Sequence, residues 1–400
     1  MYVVAHNLFG DEGLRPWGRL WNIAKGSTMG RTRLGLVAAG ASLVLALTAC
    51  GSNTSSGGSA TSGASGGGGV KVGVILPETA TSARYESFDK PLLDKAMRAE
   101  GLEPDIQNAQ GNVQKFSTLA DGMINNGVKV LVLDAPNSEV GSAVAKKAQA
   151  AGIPTIDYDR LNLGGTSEYY VSFDNVKVGE LQGQGLVQGV GEKQGANIIE
   201  IEGAPTDNNA TLFYEGQQKI VKPKYDSGEY VLKGSQRIPE WNNQAGGATF
   251  EQFLTANGGK VDGVLAANDG MALAVITVLK KNGLNGKVPV TGQDATPDSL
   301  QAILRGDQYM TVFKPIADEA NATAKLAALL AKGDKAGADA LAKGAVTKDT
   351  TGNRDVKSVL LTPILITKDE VKSVVDAQGV KASEICVADV AAVCSQLGIA

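Results

Sequence analysis

Histidine is all but missing from this sequence: a single copy, His6, stands near the N-terminus of 400 residues. If the first residues are removed after synthesis, the working chain has no imidazole. That excludes a Ser-His-Asp or Cys-His triad and any His-ligated metal site. Cysteine is nearly as scarce. Cys50, Cys386 and Cys394 are too few for a disulfide scaffold and wrongly spaced for a zinc cluster. A surplus of positive charge is lacking as well, with 38 Lys+Arg against 42 Asp+Glu for a net charge of −4. A nucleic-acid binder normally carries a concentrated basic surface. Glycine, in contrast, is plentiful at 50 copies, nearly twice the usual share of about 7%. The chain is also longer than one core usually fills. At about 150 residues per domain, two or three domains are expected.

The N-terminus reads as an address. Met29 is a candidate true start, and Arg31 and Arg33 give a positive n-region. Leu34–Ala49 is an uncharged, mostly apolar run of 16 residues. It is short for a membrane span, which needs about 20, and suits a signal h-region. The run ends Leu47-Thr48-Ala49-Cys50, which resembles the bacterial lipobox, where cleavage before the cysteine leaves its sulfur to carry diacylglycerol. The expectation is therefore a signal peptide over 1–49 and lipidation at Cys50, followed by a tether over 50–69. Gly51–Gly69 holds 8 Gly, 6 Ser and 2 Thr in 19 residues. Such a segment buries nothing and has a reach on the order of 25 Å. Cleavage removes Arg15, Arg19, Lys25, Arg31 and Arg33 with Asp11 and Glu12, leaving 33 basic and 40 acidic residues.

From Val70 the pattern alternates strand and helix. Continuous apolar runs at 71–76, 129–135, 153–159 and 169–175 read as buried parallel strands, with helical patterns between them. The cycle restarts with strands at 196–203, 230–236, 261–269 and 287–294. Two such series predict an α/β protein of two doubly wound, Rossmann-like lobes.

Several strands end in polar residues. Asp157-Tyr158-Asp159-Arg160, Asp207-Asn208-Asn209, Asn268-Asp269 and Gln293-Asp294 occupy equivalent tips, where open α/β sheets bind ligands. Singly, such residues also serve as turn formers and helix caps. Together they suit a polyhydroxylated ligand, because each hydroxyl both donates and accepts while carboxylates, amides and guanidinium supply complementary partners. Trp241 lies in the polar loop IPEWNNQ and is the one tryptophan outside the leader. It is read as a stacking face for a sugar, against plain partial burial. Tyr85 and Phe88 are weaker candidates for a second wall.

These residues resemble the D-xylose-binding periplasmic protein family of bacterial ABC importers. The likeness runs from about Val70 to Thr367 and rests on YDR (158–160), YVSFDNVKVGELQ (170–182), DNNATLF (207–213), AND (267–269), TGQD (291–294), MTVFKPI (310–316) and LLTP (360–363). The resemblance implies the type I periplasmic-binding-protein fold, with two lobes joined by three crossover strands. It implies sugar contacts from Arg84, Asp159, Arg160, Asp207, Asn209, Trp241, Asn268, Asp294 and Lys314, with Tyr85, Asn208 and Asp269 as further candidates. The first loop, LPETATSARYESF, is two residues longer than in the family, with Tyr85 where the family carries Trp. The expected lobes are 70–174 plus 314–352 and 175–313 plus 353–400, with hinges near Phe173–Val176, Val312–Pro315 and Leu360–Pro363. The tail beyond Asp369 departs from the family. In one continuous helix Cys386 and Cys394 would sit about 12 Å apart, too far to bond. A break near Asp389 would bring them together, and an exported chain favours the disulfide over free thiols.

The functional expectation is a lipid-anchored, monomeric receptor on the outer face of the cytoplasmic membrane. It hands a monosaccharide, D-xylose first, to an ABC permease with a cytoplasmic ATPase. No cofactor, metal, catalytic residue or nucleic acid is expected. Glucose, galactose, arabinose and ribose remain open, as does a sensor role toward a membrane kinase. A transcription regulator would need a helix-turn-helix where the leader and tether stand. An enzyme using Asp159 and Asp207 as acid and base has no support in their sequence setting.

Overall fold

The computed structural model describes residues 69–82, 84–377 and 379–399. The signal segment, Cys50 and nearly all of the tether lie outside the described residues. Among the described residues, no helix is long and apolar enough to cross a membrane.

The first lobe is built on β1 (Val70–Leu76), β2 (Leu102–Asn108), β3 (Val130–Leu133), β4 (Thr155–Tyr158) and β5 (Tyr169–Phe173). These pair in parallel in the order β5-β4-β3-β1-β2. The central strands β3, β4 and β5 are buried along their whole length, which is why they read as unbroken apolar runs. Helices α1 (Lys90–Ala99), α2 (Val113–Asn125) and α3 (Ser138–Ala150) make the crossovers. β2 escaped sequence reading because LEPDIQN alternates and contains Pro104. At the sheet edge the missing proline N–H costs no ladder bond.

The second lobe holds β6 (Ala196–Glu202) between β7 (Tyr230–Arg237) and β8 (Gly263–Ala266), all parallel. Its helices are α4 (Asn175–Val190), α5 (Asn208–Asp226), α6 (Asn243–Ala256), α7 (Asp269–Lys281) and α8 (Pro297–Arg305). The strand expected over 287–294 is reduced to one parallel bridge, Val264 to Val290. Beyond it the Thr291 hydroxyl replaces the ladder, accepting from Ala266 N at 2.9 Å and donating to Ala266 O at 3.0 Å. The backbone is thereby released from the sheet just where Gln293-Asp294 must turn into the cleft.

Three crossings join the lobes. The chain leaves the first sheet after Phe173 and returns through β9 (Thr311–Phe313) into α9 (Ile316–Ala331) and α10 (Lys335–Ala342). β10 (Val346–Asp349) and β11 (Arg354–Leu361) then extend the first sheet, with β11 parallel to β5. This corrects the boundary expected at 353. The β5–β11 ladder holds residues through Leu361 in the first lobe, and the third crossing comes at Thr362-Pro363. β12 (Ile364–Ile366) pairs antiparallel with β9, and Asp174 N donates to Leu361 O at 2.9 Å, so the crossings are tied to one another.

The tail forms α11 (Val371–Asp376), α12 (Ala382–Ile385) and α13 (Ala391–Gln396). Cys386 and Cys394 are disulfide-bonded, with Cα atoms 5.9 Å apart. The helix break that permits this lies at 386–390. Val390, rather than Asp389, precedes α13, and Asp389 pairs with Arg305 of α8. Ile385, Val390, Cys394 and Ile399 complete an apolar cluster with Leu300, Phe313 and Ile366, so the tail covers the second lobe beside two crossings.

Candidate functional site

Strand tips and helix starts from both lobes converge on one cavity. It is lined by Glu78, Thr81, Ser82, Tyr85, Asp159, Arg160, Asp207, Asn209, Phe213, Trp241, Asn268, Gln293, Asp294 and Lys314. Its open volume is about 30 Å³, room for about two waters.

The polar tips serve at once as helix caps and as cavity wall. Asp207 caps α5 by accepting from Asn209 N at 2.9 Å, and Asn268 caps α7 by accepting from Met271 N at 2.9 Å. A cap spends one oxygen and leaves the rest of the side chain for other partners. The other oxygen of Asp207 takes Trp241 Nε1 at 3.0 Å and lies 3.2 Å from Arg160 Nε of the opposite lobe. Three wall residues hold left-handed backbone: Asp159 (φ 56°), Trp241 (φ 54°) and Asp294 (φ 105°). Such conformations in non-glycine residues cost energy and cluster at ligand clamps. Here they turn side chains off the strand ends into the cleft.

The aromatic wall is a pair. Phe213 meets Trp241 edge-on, with centroids 6.3 Å apart. A Cβ on Gly203 would lie 2.1 Å from the indole, so only glycine lets the ring lie down there. Opposite, Tyr85 occupies a π-helical turn (Tyr85–Asp89) between the guanidinium groups of Arg84 and Arg160, at 5.2 and 5.5 Å from its ring centre. Its hydroxyl donates to Asp159 and accepts from Arg160, both at 3.1 Å.

Each carboxylate in this wall except Glu78 has a cation beside it. Lys314 Nζ lies 2.9 Å from Asp294, and Arg84 lies 3.0 Å from Asp159. Burial alone would raise the Asp159 carboxyl. The charges of Arg84, Lys314 and Arg160, with the Tyr85 hydroxyl, outweigh it and hold the group below the usual carboxylate range. Glu78 uses its two oxygens on the amides of Thr81 and Ser82, at 2.7 and 2.8 Å, which fixes the first loop against the cavity.

Eight of the nine principal candidates line the cavity, and Tyr85 joins them. Arg84 does not. Its guanidinium is buried behind the wall, donating to Asp89, Asp159 and Glu319 at 2.7–3.0 Å, because three buried carboxylates compete for its N–H groups more strongly than the cleft does. It positions Asp159. Asn208 faces a neighbouring recess instead. Asp269 sits beneath the wall, accepting from Thr311, Gln308 and the Thr296 amide. Asn209 lines the cavity with its amide already engaged. Its Nδ2 donates to Asp159 O at 2.8 Å, and its Oδ1 accepts from Tyr170 and Asn175, each at 3.0 Å, tying lobe to lobe. Sequence reading missed Glu78, Thr81, Ser82 and Phe213 as wall residues, whereas Gln293, read as a polar strand tip, joins the wall. Phe213 and Gln293 fall inside the quoted motifs DNNATLF and TGQD. Glu78 and its loop carry no local signal.

Burial, then the neighbouring Asp294, push the Asp269 carboxyl up to about 7. Its unfolded value is near 3.9. Between these values the folded chain holds a proton that the unfolded chain has released. This stabilisation is complete below the unfolded value and is lost as pH rises through about 7. Urea unfolding from pH 5 to 8 is expected to show stability falling with pH. In Asp269→Asn the slope should shrink by up to about 1.4 kcal/mol per pH unit. An unchanged slope would refute the assignment.

A family model described as "Periplasmic binding protein domain" matches residues 72–335. The chain is 38% identical over 310 residues to the D-xylose-binding periplasmic protein of Escherichia coli strain K12, covering 78% of this chain and 90% of the relative. It is 34% identical over 323 residues to the multiple sugar-binding periplasmic receptor ChvE of Rhizobium radiobacter, covering 76% and 88%. An ABC transporter solute binding protein from Clostridium phytofermentans, solved with bound β-D-glucose, superposes with a TM-score of 0.69 at 28% identity. That match covers 79% of this chain and 99% of the other. With its two lobes and interlobe cavity, this chain belongs to the periplasmic binding protein family.

Proposed function

We propose that this chain is an exported sugar receptor, lipid-anchored through Cys50. It captures a monosaccharide, D-xylose first, by hinge closure and delivers it to an ABC-type permease whose ATPase is cytoplasmic. The observation that carries this reading is the interlobe cavity, in which carboxylates, amides, Arg160 and Lys314 surround the Phe213–Trp241 face. That set matches the alternating donors, acceptors and C–H faces of a neutral sugar. At about 30 Å³ the cavity is small for a sugar unless the lobes part, and in this reading the crossings at 173–175, 312–315 and 361–364 are the hinges. Closure then removes water, and any unmatched hydroxyl or wall group is left unpaired at about 1–3 kcal/mol. That penalty supplies discrimination among aldoses. The likeness to a multiple sugar-binding receptor favours, as a second reading, a broader aldose range that includes glucose.

Calorimetry with D-xylose, glucose, galactose, arabinose and ribose tests both readings. One or more should bind at micromolar strength or tighter, and Asp294→Ala should weaken that binding at least tenfold by leaving Lys314 buried without its partner. Wild-type affinity in Asp294→Ala would refute the site assignment, and no heat from any aldose would refute the sugar reading.

A further inference from the structure

Asp134, which follows β3 at the centre of the first sheet, has no evident task in the site as described. It is fully buried, and neither carboxylate oxygen receives a hydrogen bond from the described residues. A lone carboxylate in such a place is costly unless it is paired or protonated. Its nearest cation is Arg160, whose Nε lies 3.7 Å from Asp134 Oδ1 and 3.2 Å from Asp207 Oδ2. Nε carries one hydrogen, so one carboxylate at a time can take it well. Arg160's other contacts are the Tyr85 hydroxyl at 3.1 Å and Ala135 O at 3.4 Å, both in its own lobe.

The two competing carboxylates stand on different bodies. Asp207 caps α5 in the second lobe, whereas Asp134 and Arg160 both follow strands of the first sheet. When the lobes part, Asp207 leaves with its lobe. Asp159 already has partners on both oxygens, Arg84 and the Tyr85 hydroxyl, and so gains less from the freed guanidinium. Asp134, 3.7 Å from the same Nε, is the carboxylate within reach that accepts no hydrogen bond among the described residues. We propose that Asp134 is the open-state counter-ion of Arg160, so that closing the cleft hands the guanidinium from Asp134 to Asp207 and takes up one proton from solvent on Asp134.

The groups facing Asp134 fit this exchange. Arg160 and Asp159 approach from the end of β4, and Arg84, Asp89 and Tyr85 from the segment after β1. In the closed arrangement burial first, and then Asp159, hold the Asp134 carboxyl well above its usual range despite Arg160 and Arg84. No other proton movement is required. One proton leaves water, one O–H bond forms on Asp134, and the guanidinium stays charged throughout. The site therefore binds its ligand more tightly as pH falls, whichever sugar it takes.

Small-angle scattering of the sugar-free protein from pH 6 to 9 tests this without a ligand. Wild type should become more compact as pH falls, whereas Asp134→Asn, whose amide cannot hold the cation as a charge partner, should be equally compact throughout. In the second arm, calorimetry with D-xylose, affinity should rise toward low pH by up to tenfold per unit in wild type. In Asp134→Asn it should rise by correspondingly less. Wild-type profiles that are flat in scattering, or a scattering slope in Asp134→Asn equal to wild type, would overturn the proposal. If Asp134→Asn does not fold, Asp134→Ser takes its place under the same criteria. A lack of D-xylose heat would count against the D-xylose reading alone, because the scattering still decides the exchange.

Discussion

Replacing Arg84 by alanine is expected to destabilise the protein by about 3–5 kcal/mol at neutral pH, the usual result of stripping one partner from a buried ion pair. That is a large part of the 5–15 kcal/mol that holds a typical domain together. Arg84 is 2% exposed, and its partners Asp89 and Glu319 are fully buried. Its Nε and Nη2 fork Asp89 at 2.9 and 2.7 Å, while Glu319 and Asp159 each accept at 3.0 Å. Asp89 also accepts from the Tyr158 hydroxyl at 2.5 Å. Without the guanidinium, three carboxylates share one dry site. Glu319 is already held well above the usual carboxylate range, by burial first and then by Asp159 and Asp89, with only Arg84 and Lys314 opposing. Loss of Arg84 removes a charge that lowers the Asp159 carboxyl and opposes the rise of Glu319, so both move upward in the folded state. They then take up protons as pH falls, and folding regains stability in that direction. Urea unfolding should therefore show a wide gap between variant and wild type at pH 8 that narrows toward pH 5. A loss below about 1 kcal/mol, or a gap that does not change with pH, would show that the cluster is not organised around Arg84.

The same cluster marks where sequence reading reached its limit. Periodicity exposed the βα alternation because buried parallel strands must be apolar on both faces, as β3, β4 and β5 are. The polar tips were legible because strand ends and helix starts are local features, and Asp207 and Asn268 act there both as caps and as wall. What depended on distant residues was not legible. Arg84 reads as an available donor until Glu319, 235 residues away, is brought against it. Segment 287–294 has a strand's composition, yet the Thr291 hydroxyl replaces the backbone ladder and ends the pairing. β11 shows ordinary alternation, and only its partner β5 assigns it to the first lobe. Asp134 looks like one more residue of an apolar strand run. Its significance appears only with Arg160 and Asp207 from two lobes beside it.

The glycines of α4 carry the second large prediction. Gly179 and Gly183 fall one helical turn apart, on the face that meets α5. A Cβ on Gly179 would lie 1.9 Å from Phe213 O, and one on Gly183 would lie 2.8 Å from the Ile220 Cβ. From the other side, a Cβ on Gly216 of α5 would lie 2.0 Å from Val176 O. The two helices therefore touch backbone to backbone. Two terms of opposite sign decide Gly179→Ala. Helix propensity favours alanine by about 1 kcal/mol. Overpacking costs about 1–3 kcal/mol where side chains can yield, and more where they cannot. Here the obstacle is a carbonyl fixed in α5's own hydrogen bonding, so the second term wins and a net loss on the order of 2 kcal/mol is expected. The effect should also reach the site. α4 begins at the first crossing, and α5 carries Asp207, Asn209 and Phe213 into the cavity wall. Pushing the helices apart moves the carboxylate that holds Trp241 Nε1 and Arg160 across the cleft. Gly179→Ala should thus lower the thermal midpoint and weaken sugar binding at least tenfold. An exposed control such as Gly122→Ala in α2, where a Cβ meets nothing within 4 Å, should leave binding unchanged and gain slightly in stability. A Gly179→Ala protein as stable as wild type would mean that α4 and α5 separate freely, and the close helix contact would not be what positions the wall.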